Sequence, residues 1–454
     1  MALSNDINCL IYQYMSESGF SHSAFLFKTE SNVDILEPID NQIPSNSLIT
    51  ILQKALLFNR LEKIVHEAND NVNHPLHNAM KELESLFPEN KNSILPLLII
   101  EKMRKNYISE TITLNENNAT FLKGHKMPVY ACDWKNTGDL FVTGSGDGST
   151  IIWKIKNGKL INKRIIQTLK NSKDGNNGIS SIDWEPNGRY FATGSFDSNV
   201  RIYNENGSFI AILKRHLKDV FAIKFNSSGN LLLSWSADRT IVLWDMNKLC
   251  VKFVFDHHTD AILDVCWKDD DTFAAASADG KISVCTKDGN YKIFEGHKNH
   301  VTAISWNCNS TLLASGSEDN TVRIWKEESC LVLEGHKSGV TCLKWSTQDQ
   351  NLIISSSHNG SILIHNAETC ELIQSFNYHN DEVISLSLSS NSMFLASGGS
   401  DGTIIITDTE NCRLYRRFKG NSTLCEVKWD PSGTYLAVCS EDSNVIIISV
   451  FDSF

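Results

Sequence analysis

The sequence predicts a mainly β protein in which eight similar units follow a small α-helical N-terminal segment. Segments of about 40 residues recur along the chain from residue 117 to residue 454. Within each segment, apolar and polar residues alternate with a period of two, which is typical of short antiparallel strands. Before residue 37, by contrast, apolar residues recur at the spacing of a helix face.

The bulk composition limits the functional classes. A chain of 454 residues is too long for one ordinary core, so it predicts several domains or a repeat array. The net charge of −11, without a long Lys/Arg run, argues against direct sequence-specific nucleic-acid binding. No apolar run reaches the roughly 18–20 residues of a membrane-spanning helix, so we expect no membrane partner. The twelve cysteines include no C-x-x-C pair, which indicates a reducing compartment and no metal site.

The repeated unit has a recognisable signature. The stretch "GHKMPVYACDW" (124–134) recurs as "GHKNHVTAISW" (296–306). In both copies the histidine precedes a turn aspartate by 22 residues, and a tryptophan follows that aspartate by six. Eight copies align on the turn position, which is occupied by Asp147, Asp197, Asp238, Asp279, Asp319, Asn359, Asp401 and Asp442.

These spacings resemble those of the WD repeat, whose units form the four-stranded blades of a β-propeller. The resemblance implies an eight-bladed propeller over residues 117–454. The last copy ends close to its third strand. We therefore expect "ATFLKG" (119–124), which precedes the first copy, to supply the missing outer strand and to leave no open sheet edge.

Each unit offers a histidine, a hydroxyl, the turn aspartate and the tryptophan as hydrogen-bonding partners. Such a set looks like acyl-transfer machinery, but catalysis needs one exposed constellation rather than several equivalent ones. The WD resemblance implies a buried structural network, so we expect no catalytic residue, no cofactor and no metal. Copies four, six and eight depart from the set, and we expect packing to hold those blades. The complete sets are His125-Thr143-Asp147-Trp153, His216-Ser234-Asp238-Trp244 and His297-Ser315-Asp319-Trp325.

The N-terminal segment predicts an oligomerisation module over residues 1–36, followed by a helical segment and linker over 37–116. Two helices of about ten residues each cannot bury their apolar side chains against themselves alone. A core shared between copies is therefore expected, at about 1.5–3 kcal/mol for each fully buried large side chain. The pattern "INCLIYQYMSESGFSHSAFLFKTE" resembles the LisH motif, a helical dimerisation module. The predicted interface residues are Ile7, Leu10, Ile11, Tyr14, Phe20, Phe25 and Phe27.

Two further stretches, "GFSHSAF" (19–25) and "IPSNSLITILQKALLFNRLE" (43–62), resemble the transducin β-like 1 (Ebi) family, subunits of nuclear corepressor complexes. The resemblance implies a nuclear, non-enzymatic scaffold that forms dimers or tetramers. Its implied partners are a corepressor of the SMRT/NCoR type with a histone deacetylase, and histone tails or transcription factors. Two alternatives remain. One is a cytoskeletal, dynein-type adaptor, which also joins LisH to a propeller, and the other is a substrate receptor for ubiquitin ligation.

The predicted docking surface is the narrower face of the propeller, beside the start of each inner strand and the turn aspartate. Aromatic side chains beside carboxylates would suit a basic peptide. The candidate residues are Tyr130, Phe196, Asp219, Phe221, His300, Glu318, His358, Glu382 and Glu441.

Overall fold

The computed structural model describes residues 111–114, 119–156, 158–167, 177–326, 329–409 and 413–450. All of them belong to one unit of the chain, Tyr107–Phe454. These residues form strands β1 to β33, and no helix occurs among them. The predicted oligomerisation module and the helical segment that follows it lie outside the described residues.

Eight sheets, seven of four strands and one of five, confirm the predicted eight-bladed β-propeller. In blades one to seven, four successive strands run from the inside of the propeller to the outside. The inner strands of blades one to eight are β3 (Val129–Trp134), β7 (Ile179–Trp184), β11 (Val220–Phe225), β15 (Ile262–Trp267), β19 (Val301–Trp306), β23 (Val340–Trp345), β27 (Val383–Leu388) and β31 (Leu424–Trp429).

The second strand of each blade is almost entirely buried. It lies between the first and third strands of its own sheet, and the neighbouring blades cover its two faces. In the same blade order, the second strands are β4 (Leu140–Ser145), β8 (Tyr190–Ser195), β12 (Leu231–Ser236), β16 (Thr272–Ser277), β20 (Leu313–Ser317), β24 (Leu352–Ser357), β28 (Phe394–Gly399) and β32 (Tyr435–Ser440).

The third strands follow the turn aspartate and carry the tryptophan position. They are β5 (Ser149–Lys156), β9 (Asn199–Asn204), β13 (Ile241–Asp245), β17 (Lys281–Thr286), β21 (Val322–Lys326), β25 (Ile362–Asn366), β29 (Thr403–Asp408) and β33 (Val445–Ser449). The outer strands of blades one to seven are β6 (Lys159–Gln167), β10 (Phe209–Lys214), β14 (Cys250–Phe255), β18 (Tyr291–Glu295), β22 (Ser329–Leu333), β26 (Leu372–Phe376) and β30 (Arg413–Lys419).

Blade eight takes its outer strand from the start of the propeller sequence. Strand β2 (Thr120–Leu122) pairs antiparallel with β33, with Phe121 opposite Ile446. The prediction that "ATFLKG" completes the last blade is therefore confirmed. Leu122 is fully buried between blades one and eight, so the closure also adds apolar contacts.

One strand was not foreseen from the sequence. Strand β1 (Thr111–Thr113) adds to the outside of blade seven, where it pairs in parallel with β30 and makes a five-stranded sheet. The Leu114 N–H then donates to the Lys419 carbonyl oxygen over 3.0 Å. Blade seven thus shows how the outer edge of a blade in this protein accepts a further strand.

The core consists of apolar layers between neighbouring blades. The layer between blades eight and one, for example, joins Trp153 and Val129 to Val445 and Ile447. Each blade therefore buries both of its faces, as a stacked sheet must. The hairpin turns "EPNG" (185–188) and "DPSG" (430–433) end in glycines, Gly188 and Gly433, whose φ of 69° favours glycine.

Candidate protein-interaction site

A chain of hydrogen bonds leads from tryptophan to aspartate in blade three. Trp244 Nε1–H donates to Ser234 Oγ over 2.8 Å, and His216 Nε2 lies 2.8 Å from the same oxygen. On the other side of the ring, His216 Nδ1 lies 3.0 Å from Asp238 Oδ2. That carboxylate also accepts the Leu217 N–H over 2.8 Å. The four predicted side chains therefore tie the third strand to the connection that precedes the inner strand.

Blade five repeats this arrangement closely. Trp325 Nε1–H donates to Ser315 Oγ over 2.8 Å, and His297 lies 2.7 Å from that hydroxyl and 2.9 Å from Asp319. The serine can accept from the indole and donate to Nε2 only if the histidine is neutral, with its proton on Nδ1. Burial accordingly lowers the pKa of His297. Burial alone would raise the pKa of Asp319, but its hydrogen bonds lower that pKa to about 2.

In blade one, the four predicted side chains lie close together, but a serine intervenes between the histidine and the aspartate. His125 Nε2 lies 2.7 Å from Thr143 Oγ1, which accepts the Trp153 Nε1–H over 2.8 Å. His125 Nδ1, however, lies 2.8 Å from Ser149 Oγ and 3.8 Å from Asp147 Oδ1. The serine therefore stands between the imidazole and the carboxylate.

Blades four and six keep a hydrogen-bonded histidine although they depart from the predicted set. In blade four, where Ala275 replaces the hydroxyl, Ser283 of the third strand provides another one at 2.9 Å from His258 Nε2. In blade six, Ser355 and Ser361 lie 2.8 and 3.2 Å from the two ring nitrogens of His336. Blade four keeps a hydrogen-bonded histidine because the third strand supplies the hydroxyl, whereas in blade six Ser355 occupies the usual position on the second strand. No comparable histidine exists in blade eight, which has Asn421 at that position.

The central channel contains charged side chains that link neighbouring inner strands. Asp133 Oδ2 accepts the Trp184 N–H over 2.8 Å, and Asp183 Oδ2 accepts the Phe225 N–H over 2.7 Å. Glu426 Oε2 accepts the Cys132 N–H over 2.6 Å, across the junction of blades eight and one. Each carboxylate therefore satisfies a backbone donor of the next blade.

Two lysines complete this channel network. Lys428 of blade eight lies 2.7 Å from Asp133 of blade one, and Lys224 lies 2.5 Å from Asp183. Burial alone would lower the pKa of Lys428, but Asp133 and Glu426 raise it above the usual value. These residues were not among the sites predicted from the sequence. Their only signal was a polar residue at the third or fifth position of inner strands such as "VYACDW" and "LCEVKW".

The nine predicted docking residues fall on three positions of the repeat. At one end of every blade, the residue before the turn position donates its N–H to the carbonyl of the residue before the inner strand, over 2.8–3.1 Å. We call this end of the propeller the upper face. Phe196, Glu318, His358 and Glu441 occupy the donor position, whereas Asp219, His300 and Glu382 occupy the acceptor position. Tyr130 and Phe221 are the second residues of their inner strands, where a β-bulge interrupts the register.

The structure brings some of these side chains into contact and leaves others apart. The rings of Tyr130 and Phe196 meet edge to face across blades one and two, with 6.0 Å between centroids. His358 Nδ1 lies 2.9 Å from Glu382 Oε1 across blades six and seven. Phe221 instead packs on the core layer between blades three and four. His300 donates its Nδ1–H to the Ala278 carbonyl of the preceding blade.

The upper face therefore carries an aromatic pair on one side and carboxylates on the other. Glu318 and Glu441 are exposed there. Gly339 lies between Glu318 and His358, where a side chain would crowd both residues. A carboxylate-bearing rim attracts cationic side chains, and aromatic rings offer faces over which a cation can stack. This arrangement can bind a basic peptide without any covalent chemistry.

The buried histidines predict a loss of stability in weak acid. Burial lowers the pKa of His125, His257 and His336 to about 4, whereas the unfolded chain has a value near 6.5. Between these values the unfolded state binds more protons, so stability falls as the pH falls. Burial raises the pKa of Asp264 to about 6, which acts in the opposite sense for one group. We expect the free energy of unfolding in urea to be about 2 kcal/mol lower at pH 5 than at pH 7.

The variant His336→Gln provides the control for this pH dependence. Its amide can still reach Ser355 and Ser361, but it does not titrate. The variant should therefore lose less stability than the natural protein between pH 7 and pH 5. A stability that stays constant or increases over this interval would contradict the assignment of neutral, buried histidines.

The seven predicted oligomerisation residues, from Ile7 to Phe27, lie outside the described residues. Within the described part of the chain, no group of three or more histidine, cysteine or acidic residues is arranged to hold a metal ion. No helix in that part is long and apolar enough to cross a membrane.

Comparisons with family models match most of the propeller and the N-terminus. The model "WD domain, G-beta repeat" matches residues 116–154, 163–204, 207–245, 249–285 and 289–326, and the model "LisH" matches residues 5–31. The model "Eukaryotic translation initiation factor eIF2A" matches residues 321–445, a stretch that contains the propeller strands from β21 to β32. The WD matches end before blades six to eight, where His365, Thr407 and Ile448 replace the tryptophan.

Individual proteins give a consistent picture. The human "F-box-like/WD repeat-containing protein TBL1X" is 28% identical, with 62% of this chain and 59% of that protein covered. The "WD40 repeat-containing protein HOS15" of Arabidopsis thaliana is 32% identical over 75% of this chain and 59% of that protein. The matched part thus spans 59 to 65% of the length of such relatives.

Among solved structures, the C-terminal WD40 domain of Sif2 superposes with a TM-score of 0.66 at 19% identity, covering 75% of this chain and 99% of that domain. At this identity the likeness shows the fold alone. The N-terminal LisH match, the WD repeats and the TBL1X and TBL1Y relatives together identify the family. The chain belongs to the LisH and WD-repeat family of transducin β-like 1 proteins.

Proposed function

We propose that this protein is a non-enzymatic scaffold subunit of a nuclear histone-deacetylase corepressor complex. It oligomerises through the LisH segment, to a dimer or a tetramer, and this segment also contributes to binding a corepressor of the SMRT/NCoR type. The propeller docks histone tails or transcription factors on its upper face. Family membership supports the scaffold role, and several weak sites on one oligomer gain avidity through their effective concentration.

The observation that carries the proposal is the chemistry of the upper face. Glu318 and Glu441 are exposed at the donor position of the repeat, and Glu382 lies beside His358 at 2.9 Å. The Tyr130–Phe196 pair lies on the same face. Lysine-rich and arginine-rich tails match such a surface in charge and can stack on the rings.

Affinity purification of the tagged full-length chain from its own cells tests the proposal. We expect recovery of a histone deacetylase activity together with a large corepressor. The variant Phe20→Asp/Phe27→Asp should lose both, because charges in a shared apolar core prevent oligomerisation. Recovery of motor-associated or tubulin-associated proteins without deacetylase activity would contradict the corepressor role and support a cytoskeletal adaptor.

A second pair of variants tests the upper face separately. Glu318→Lys/Glu382→Lys should keep the deacetylase but bind basic histone-tail peptides about tenfold more weakly, which corresponds to about 1.4 kcal/mol. Glu368→Lys/Glu371→Lys makes the same charge change at two exposed positions in the turn before the outer strand of blade six and serves as the matched control. Equal weakening in the control would mean that net charge, rather than the upper face, governs binding.

A substrate receptor for ubiquitin ligation is the second candidate. The name "F-box-like/WD repeat-containing protein" of the TBL1X and TBL1Y relatives favours it. The two roles are compatible, because one propeller face can present a bound protein either to a deacetylase or to a ligase. Recovery of ubiquitin-ligase subunits in the same purification, without the deacetylase, would favour the receptor role over the corepressor role.

A further inference from the structure

The outer strand of blade one differs from the other outer strands. With nine residues, β6 is the longest strand that the structure describes. It pairs with β5 on one side and, among the described strands, with none on the other. Ile161, the extra residue of a β-bulge, is 60% exposed, and Ile165 is 48% exposed. Natural proteins seldom leave so long an apolar edge strand without a means of managing it.

The same strand and its hairpin carry a cluster of positive charge. Lys154, Lys156, Lys159 and Arg164 are exposed, and Lys163 lies between them along the strand. No acidic residue occurs between Lys154 and Gln167, in a chain whose net charge is −11. Within the described part of the chain, Lys154, Lys156, Lys159 and Arg164 form no ion pair. These charges repel a second β6, so the edge is protected against pairing with another copy.

Blade seven provides the geometry of an added strand. There β1 pairs in parallel with β30, placing Thr111 opposite Arg417 and Thr113 opposite Lys419. The Lys419 carbonyl accepts the Leu114 N–H, so the backbone groups of Lys419 point outwards. In blade one, the register of β6 on β5 places Gln167 at the position that Lys419 occupies in blade seven, since each pairs with the second residue after the turn aspartate.

We propose that β6 is a docking edge for an extended segment of a partner protein in which acidic and apolar residues alternate. The segment adds to blade one as a fifth strand, as β1 adds to blade seven. Main-chain hydrogen bonds to Ile165 and Gln167 provide affinity, and side chains provide selectivity. The acidic residues meet Lys159 and Arg164 on one face of the sheet, whereas the apolar residues cover Ile161 and Ile165.

The combination of charge and exposed apolar surface favours this partner over a nucleic acid. Phosphate binding requires cations but leaves the exposed isoleucines unused. The outer strand of blade six provides a comparison without the charge: Ile373 is also the extra residue of a β-bulge and is 47% exposed, yet "LIQSF" contains no cation. Among the described outer strands, β6 alone combines several cations with exposed isoleucines. This surface lies on the outside of a blade and is separate from the upper face.

A synthetic peptide tests the proposal on the full-length chain. The probe is a fluorescein-labelled octapeptide of alternating glutamate and valine, with the corresponding lysine–valine peptide as its charge control. We expect saturable binding of the acidic peptide only. Hydrogen-exchange mass spectrometry should show slower amide exchange in residues 160–167 when this peptide is bound, because added-strand hydrogen bonds protect the outward N–H groups.

The variant Ile161→Glu/Ile165→Glu should weaken binding of the acidic peptide at least tenfold, whereas Ile373→Glu on blade six should leave it unchanged. Both variants place glutamate on an exposed outer strand, so each should retain the circular-dichroism spectrum of the propeller. Equal binding to the two variants would overturn the proposal. So would tighter binding of a DNA duplex that displaces the peptide, or peptide binding without protection of residues 160–167.

Discussion

Replacement of Trp244 by alanine is expected to lower the free energy of unfolding by about 3–5 kcal/mol. The indole is buried between blades two and three, where it packs on Val220 and Ile223. Its removal leaves a cavity that two rigid sheets cannot close, and it also removes the donor to Ser234. Urea denaturation followed by circular dichroism measures the change without relying on tryptophan emission.

Blade four offers a matched control for this prediction. Cys285 occupies the tryptophan position there and is fully buried. Because a thiol is much smaller than an indole, Cys285→Ala should cost about 1 kcal/mol. If the two substitutions lowered the free energy of unfolding equally, the cavity argument would be wrong. The lost stability would then not depend on the size of the side chain removed.

Replacement of Asp133 by alanine is expected to lower the free energy of unfolding by about 3 kcal/mol. Asp133 accepts the backbone N–H groups of Trp134 and Trp184 and pairs with Lys428 at 2.7 Å. The substitution leaves the Trp184 donor unpaired in a buried site and leaves the Lys428 ammonium with the Cys132 carbonyl oxygen, 3.3 Å away, as its hydrogen-bond partner. It therefore weakens the junction of blades eight and one, at which the ring is closed.

A double-mutant cycle separates the ion pair from the backbone hydrogen bonds. Lys428→Met removes the charge and keeps much of the side-chain volume. If Asp133 and Lys428 stabilise each other, the double variant Asp133→Ala/Lys428→Met should be more stable than the sum of the two single changes predicts. Strict additivity would show that Asp133 acts only through the Trp134 and Trp184 N–H groups.

The architecture could be predicted from the sequence because it depends on a repeated signal. Eight turn positions at similar spacing require eight blades, and the short last copy requires a strand from elsewhere. "ATFLKG" was the only candidate immediately before the first copy, and β2 is that strand. The histidine-to-tryptophan sets were also visible, because His216, Ser234 and Asp238 recur with the same spacing as His297, Ser315 and Asp319.

The remaining features depend on contacts between blades, which spacing within a blade does not reveal. The fifth inner-strand position holds Asp133, Asp183 and Lys224 in successive blades but Cys266 in the next, so it gives no repeating signal. Ser283 replaces a missing hydroxyl from the third strand rather than the second. Strand β1 has three residues, too few for any periodicity to identify.

The closure of blade eight also determines when the protein can fold during its synthesis. The Cys132–Glu426 hydrogen bond at this junction joins residues 294 positions apart. Since each doubling of loop length costs about 0.6 kcal/mol of chain entropy, closing the ring costs about 2 kcal/mol more than closing one repeat of about 40 residues. Until β33 leaves the ribosome, β2 has no partner and the apolar sides of blades one and eight stay in water. A nascent chain that stops before Val445 therefore leaves the apolar sides of blades one and eight exposed. Chaperones and proteases can bind these surfaces, so the cell can distinguish a truncated product from a finished one.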